Sequence, residues 1–248
     1  MRALIVLAGL VLAWQAVVMA TGVPPFVLPA PWAVAEAWIA KRGLILEHAL
    51  YTAAEMGLGL VLGTLLGAAC ALTMALARPA RRWLLPVLVI SQAVPVFALA
   101  PVLVLWLGYG MASKVAMATL IILFPVTAAF HDGLRRTDPV WLDLARVMGA
   151  NRWRALWRIR VPAALPAFAS GLRVATAVAP IGAVVGEWVG ASAGLGYLML
   201  HANARVQVDV MFAALLTLAA LAVALYFTVD ALLARALPWQ PETAPADD

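Results

Sequence analysis

Six long apolar runs occupy most of this chain, at about Leu4–Ala20, Ala49–Ala77, Leu84–Leu107, Lys114–Phe130, Leu165–Val185 and Val210–Leu233. In helical form about 20 apolar residues cover the ~30 Å of hydrocarbon in a bilayer. Inside hydrocarbon no water can satisfy the backbone, so only helices and closed barrels cross it. The runs are continuous rather than alternating, which excludes a barrel. They predict an all-α polytopic membrane protein with six transmembrane helices. Composition agrees: 65% of residues are hydrophobic and 12% are charged, against roughly half and a quarter in soluble domains. Cys70 is the single cysteine and sits inside the second run, so no intrachain disulfide can form.

Lysine and arginine set the orientation. With the N-terminus inside, the cytoplasmic side carries Arg2, Arg78, Arg81, Arg82, Arg135, Arg136, Arg146, Arg152, Arg154, Arg158, Arg160 and Arg235. The outer side carries only Lys41, Arg42, Lys114 and Arg205, and Arg173 lies in or near the fifth run. The net charge of +5 therefore belongs to cytoplasmic loops and does not mark a nucleic-acid surface. Arg2, an apolar core and Val18-Met19-Ala20 also have the outline of a signal peptide. The apolar stretch is long for a signal, and the first span is expected to be retained.

Residues 1–237 are read as one transmembrane domain with no soluble domain, repeat or linker. Pro24–Pro31 is an extended outer connection, and Trp32–Gly43 a short helix at the outer surface. Pro238–Asp248, with its prolines and acids, is expected to be a disordered cytoplasmic tail. Gly59, Gly63, Gly67 and Ala71 recur every four residues and give the second span one smooth face. That face suits a close helix neighbour, either within the chain or in a second copy. Pro86, Pro95 and Pro101 in the third span free carbonyls that need partners or a water-lined cavity. Ser91 and Gln92 beside Pro95 either bind helices together or line a path. Trp83, Trp106, Trp157, Trp188 and Trp239 fall near span ends, as interfacial aromatics do.

The Arg-rich insert DLARVMGANRWRALWRIRVP, Asp143–Pro162, separates two apolar blocks. Pro139–Trp153 reads as a short amphipathic helix with Val140, Leu144, Val147 and Met148 on one side. Asp138 before Pro139 is an N-cap candidate, and Gly149 suits a helix end. Amphipathicity alone leaves two uses open: lying on the lipid surface with arginines reaching phosphate, or docking to a partner.

The spacing of this insert resembles the EAA loop of ABC importer permeases, E-A-A-x(3)-G-x(9)-I-x-L-P. Asp143 stands for the Glu, Leu144 and Ala145 for the two Ala, and Gly149 is in register, followed by Ile159, Val161 for Leu, and Pro162. The resemblance implies the type I importer permease (MetI-like) fold. It also implies a homodimer that pairs with two ABC ATP-binding subunits and a periplasmic substrate-binding protein. Asp143, Ala145, Gly149, Ile159 and Pro162 would then couple the chain to the ATPase. ATP and Mg²⁺ would belong to that partner, and this chain is expected to hold no cofactor of its own. No P-loop is present: the only lysines, Lys41 and Lys114, do not follow glycine.

Leu165–Met199, with Glu187, Gly190-Ala191-Ser192-Ala193 and Gly194-Leu195-Gly196, looks like the nitrate/sulfonate/taurine branch, as does Pro95–Gly110. Within that branch the stretch from Pro180 to Leu216 looks most like permeases for hydroxymethylpyrimidine, a thiamine precursor. An anion pathway would favour cationic lining. The spans offer only Arg173 near membrane depth, beside neutral Ser91, Gln92, Thr119, Thr127 and Thr176. Ser91, Gln92, Arg173, Thr176 and Glu187 are the candidate pathway or gate residues. Glu187 could pair with Arg205, meet the binding protein, serve an outer gate or be a solvated helix-end acid. His48, His131 and His201 lack metal-ligand spacing. A secondary transporter would want ion ligands and inverted repeats, and a membrane enzyme clustered acids, His or Cys. Neither is visible, nor is a channel filter motif.

Overall fold

The computed structural model describes residues 2–239, so the expected tail lies, from residue 240 on, outside the described residues. The described chain is helical with connections of one to four residues, except for 22–30, where the Val27 and Leu28 N–H groups fold back onto the Pro24 carbonyl and make a turn in the stretch expected to be extended. The helices are α1 (Arg2–Thr21), α2 (Pro31–Ala40), α3 (Arg42–Leu76), α4 (Arg78–Ala93), α5 (Val96–Leu107), α6 (Met111–Arg135), α7 (Pro139–Val147), α8 (Arg152–Ala155), α9 (Val161–Gly190), α10 (Leu195–Ala204) and α11 (Val208–Ala236). A π-turn, Leu156–Arg160, joins α8 to α9, so that Arg152–Gly190 is one helix of 39 residues. Among the described residues four helices are long and apolar enough to cross a membrane, and a bent pair counted as one span makes a fifth. At the position of the first expected span, α1 is a shorter apolar helix whose described apolar part is Ile5–Thr21.

The bent pair corrects the third expected span. Pro79–Ala93 and Val96–Leu107 meet at 103° rather than forming one rod. The residue before a proline is pushed out of the helical region, and Val94 before Pro95 is extended at φ −83°, ψ 119°. Pro86 and Pro101 are absorbed inside α4 and α5.

The core is a three-helix stack with α6 in the middle. Its Ala118, Ile122 and Val126 are fully buried with Ala175 and Ala179 of α9. The glycine stripe of α3 lies on this helix: Gly59 abuts Ala118, Gly63 abuts Ile122 and Gly67 abuts Val126. This register makes α3 and α6 parallel, and it places the stripe inside the chain. From the other side α9 runs antiparallel, with Gly182 on Ala118 and Gly171 on Pro125. Small residues at matched heights let the backbones approach, which is the main source of helix association where no hydrophobic effect acts. The five tryptophans expected at span ends are all half-exposed or more.

Candidate functional site

The Arg-rich insert folds from its ends inward. Asp138 accepts from the Val140 N–H at 2.9 Å, and Pro139 follows at the first helical position. The helix stops at Val147, earlier than the expected Pro139–Trp153. Gly149 stands at φ +75°, the Gly149 N–H donates to the Arg146 carbonyl, and the Ala150 N–H donates to the Ala145 carbonyl at 2.9 Å. This is a Schellman closure. Nothing lies within 4 Å of where a Gly149 side chain would start, so glycine is needed here for its conformation and not for space. Asn151 then caps the next helix by accepting from the Arg154 N–H at 2.8 Å.

The result is a nine-residue helix held at both ends whose apolar side is bare. Val140, Leu144, Val147 and Met148 are 68%, 58%, 86% and 77% exposed. Beneath it, Trp141, Leu144, Ala145 and Met148 face Ile159 and Pro162 across a groove of about 640 Å³. Three of the five expected coupling residues therefore share one groove. Asp143 stands outside it in an exposed ion pair with Arg146, and Gly149 forms the turn. On the other flank Arg146, Arg152 and Arg160 line a recess of about 750 Å³ beside the α3–α4 junction.

The π-turn adds a residue and so shifts the register of the helix downstream of it. It brings Arg160 against the C-terminal ends of two core helices. Its Nε and Nη2 donate to the Leu134 carbonyl of α6 at 3.1 and 2.9 Å, and Nη1 donates to the Ala75 carbonyl of α3 at 3.4 Å. Helix C-termini leave carbonyls without partners, and one guanidinium fork serves two of them here.

The opposite end of the stack holds a buried polar cluster. Glu187, 1% exposed, accepts from the Thr52 hydroxyl at 2.6 Å and from the Gly196 and Tyr197 N–H groups. The Leu195 N–H donates to Thr52 at 2.8 Å, and the Gly194 N–H donates to His48 Nδ1 at 3.0 Å. The first four N–H groups of a helix have no internal partner, so these side chains cap α10. Gly194 takes φ +111°, and any side chain there would overlap the Glu187 carboxyl. Lys114, also 1% exposed, donates to the carbonyls of Tyr109 at 2.6 Å and of Gly190 at the end of α9, and to Ser113 at 3.2 Å. Glu55 lies one turn beyond Thr52, with one carboxyl oxygen buried and unpartnered.

The expected pathway residues are dispersed. Ser91 and Gln92 are exposed near the bend, with Ser91 donating to the Leu88 carbonyl at 2.7 Å. Thr176 is 1% exposed in the core and bonds back to Leu172. Arg173 pairs with Asp230 of α11 at 2.6 Å. Glu187 is neither solvated nor paired with Arg205. From sequence, His48 was read only as lacking metal-ligand spacing, Thr52 was not named, and Lys114 and Arg160 were counted only among the loop cations. The first two were signalled: His48, Thr52 and Glu55 fall on the face of the glycine stripe, extended toward the N-terminus. Among the described residues no group of three His, Cys, Asp or Glu could hold a metal ion.

The family described as binding-protein-dependent transport system inner membrane component matches residues 59–238. A "probable ABC transporter permease protein" of Haemophilus influenzae is 54% identical over 95% of this chain and 96% of its own length. The formylaminopyrimidine transport permease ThiX of Halalkalibacterium halodurans is 37% identical over 87% of both chains. The riboflavin transport system permease RibX of Chloroflexus aurantiacus is 37% identical over 92% of this chain and 85% of its own. Among solved structures, a chain of the MetNI methionine ABC transporter superposes with a TM-score of 0.69 over 80% of this chain and 98% of that one, at 18% identity. The fold is thus that of a MetI-like ABC permease, and the chain belongs to the inner membrane components of binding-protein-dependent transport systems.

Proposed function

We propose that this chain is the transmembrane subunit of an ATP-driven importer of a small pyrimidine related to thiamine precursors. Two copies would form the pathway, two ATPase subunits would dock on the Arg-rich side, and one secreted binding protein would deliver cargo to the other. That arrangement places the Arg-rich end and both termini in the cytoplasm of a cell with an inner membrane, following the positive-inside rule.

The observation that carries this reading is the bare helix α7. It is nine residues long, capped at both ends, and bares Val140, Leu144, Val147 and Met148. An apolar helix face of this kind suits a groove in a partner protein. The helix leads through the Gly149 turn, α8 and the π-turn into α9, so a push on it is passed toward the core. Asp143, Ala145, Gly149, Ile159 and Pro162 supply its surface, turn and seat. ATP and Mg²⁺ would be held by the partner.

The cargo reading draws on the formylaminopyrimidine and riboflavin relatives, both named for nitrogen heteroaromatics. It also draws on the state of the cations in the stack. Arg173 is paired with Asp230 and Lys114 donates to carbonyls, so an anion such as taurine or nitrate would have to share cations that already have partners.

The test is ATP hydrolysis by the complex in lipid discs with its binding protein, comparing aminopyrimidine and hydroxymethylpyrimidine with taurine, alkanesulfonate and nitrate. Stimulation by a pyrimidine alone is expected. Stimulation only by an anion would discard the cargo and keep the importer, and an ATPase that never co-purifies with the chain would discard both.

A further inference from the structure

We propose that Thr52, Lys114 and Glu187 are positioning residues that fasten the outer end of α9 to α10, to the outer part of α3 that carries Thr52, and to the α5–α6 turn, so that these three pieces move with α9 as one body. The proposal rests on the importer reading only for its purpose, because the fastening itself is a matter of geometry.

Three observations carry it. The first is continuity. From the π-turn to Gly190, α9 has no break, and 30 residues at 1.5 Å each span about 45 Å. Pro166 and Pro180 lie inside α9 without ending it, so a displacement at Arg160 has one continuous helix to follow to Gly190. The second is the way that far end is tied. Lys114 donates to the Gly190 carbonyl and to the Tyr109 carbonyl, which joins the end of α9 to the turn before α6. Glu187, one turn before that end, holds the Gly196 and Tyr197 N–H groups, and Thr52 holds Leu195. The ties run to backbone atoms, so they fix the course of the chain and not merely a side chain. The third is burial. An acid and a lysine sealed from water are expensive to keep in a membrane protein. Their partners here are the backbone groups that helix ends leave unpaired. Neither residue faces the groove, the recess or the bend, so neither docking nor the proposed cargo reading gives them work.

Segment 191–194 and α10 lie on the side where the binding protein would sit. Carried by α9, they would convert movement of the docking helix into opening or closing there.

The test uses hydrogen–deuterium exchange on the complex in lipid discs, with Thr52→Val, which keeps side-chain volume and removes the hydroxyl, and Thr52→Ser, which restores it. Without nucleotide, Thr52→Val is expected to speed exchange at residues 194–197 by about tenfold or more and Thr52→Ser to leave it unchanged. Lys114→Met is expected to loosen the amides of the α5–α6 turn in the same way. Protection unchanged in Thr52→Val and Lys114→Met would overturn the proposal whatever the fate of the importer reading. With a trapped ATP analogue, the wild-type complex is expected to change at 143–150 and at 194–197 together, and Thr52→Val to keep the first change and lose the second. Persistence of the second change in Thr52→Val would also overturn it. A wild type in which nucleotide alters nothing at 143–150 counts against the importer reading, and the nucleotide-free arm still decides the fastening.

Discussion

Arg160 holds the last turn of α6 through Leu134: both Nε and Nη2 of its guanidinium donate to that one carbonyl, at 3.1 and 2.9 Å. Its remaining nitrogen reaches Ala75 at the end of α3. The segment that joins α8 to α9 is therefore tied to both long core helices just before α9 begins. A lysine carries one compact cation and cannot imitate a fork with three donors in fixed directions. Arg160→Lys is expected to insert and bind the ATPase subunit, yet to lower uptake on the order of tenfold. Loss of hydrogen bonds made by a charged donor should lower stability by about 1.5–3 kcal/mol, read as a drop in thermal unfolding temperature. Uptake at the wild-type rate would show that the tie has no part in coupling.

Gly149 tests the proposed docking role of α7 at its C-terminal end. A β-branched residue at φ +75° meets its own backbone, at a cost of roughly 1–3 kcal/mol, and the Schellman closure would open. Gly149→Val is expected to abolish transport while membrane insertion stays normal. Asparagine tolerates the left-handed region better, so Gly149→Asn should retain a substantial part of the uptake. Normal uptake by the valine variant would remove the docking assignment.

The legibility of each feature in the sequence tracks the range of the interactions that make it. Asp138-Pro139 and Gly149-Ala150-Asn151 are local signals, settled by hydrogen bonds two to five residues long. The caps were accordingly legible, although the earlier stop at Val147 required seeing that Gly149 closes one helix and Asn151 opens the next. The long apolar runs were legible because lipid allows them one structure. Pro95 was legible as an irregularity, but a proline kink and a 103° bend leave the same trace in sequence. The buried cluster was legible only in pieces, Glu187 as a candidate gate acid and His48 and Thr52 on the face of the stripe, since it joins Thr52 to Glu187 across 135 residues and to backbone groups that carry no sequence signature. Arg160 was hidden among other arginines until the π-turn set its direction.

Ala118 decides whether the glycine stripe serves this chain or a second copy. It is fully buried between Gly59 and Gly182, and a side chain starting at Gly182 would sit 2.6 Å from its Cα. Enlarging it pushes α3 and α9 apart together, and overpacking of this type costs typically about 1–3 kcal/mol or more. Ala118→Leu is expected to fall sharply in yield of folded protein from detergent, measured by size-exclusion profile, and Gly59→Leu to do the same. A well-folded monomer in either variant would mean that the stripe belongs to a dimer contact.

The Arg173–Asp230 pair separates a structural cation from one that meets cargo. The two side chains are 29% and 39% exposed and lie on α9 and α11. If Arg173 serves only to hold Asp230, then either partner alone should be harmful and the exchange of charges should restore function. Arg173→Ala and Asp230→Ala are each expected to reduce uptake, and the coupling between them in a double-mutant cycle on thermal stability to be about 1 kcal/mol. The reversed pair, Arg173→Asp with Asp230→Arg, should recover most of the uptake of the native chain. A cation that bound an anionic cargo would behave otherwise. Arg173→Ala would then raise the cargo concentration needed for half-maximal uptake, Asp230→Ala would not, and reversing the pair would rescue nothing. Uptake measured against cargo concentration in these variants therefore bears on the pyrimidine reading as well as on the ion pair. A neutral heterocycle needs no free cation at this depth, and the structure leaves Arg173 occupied by its neighbour.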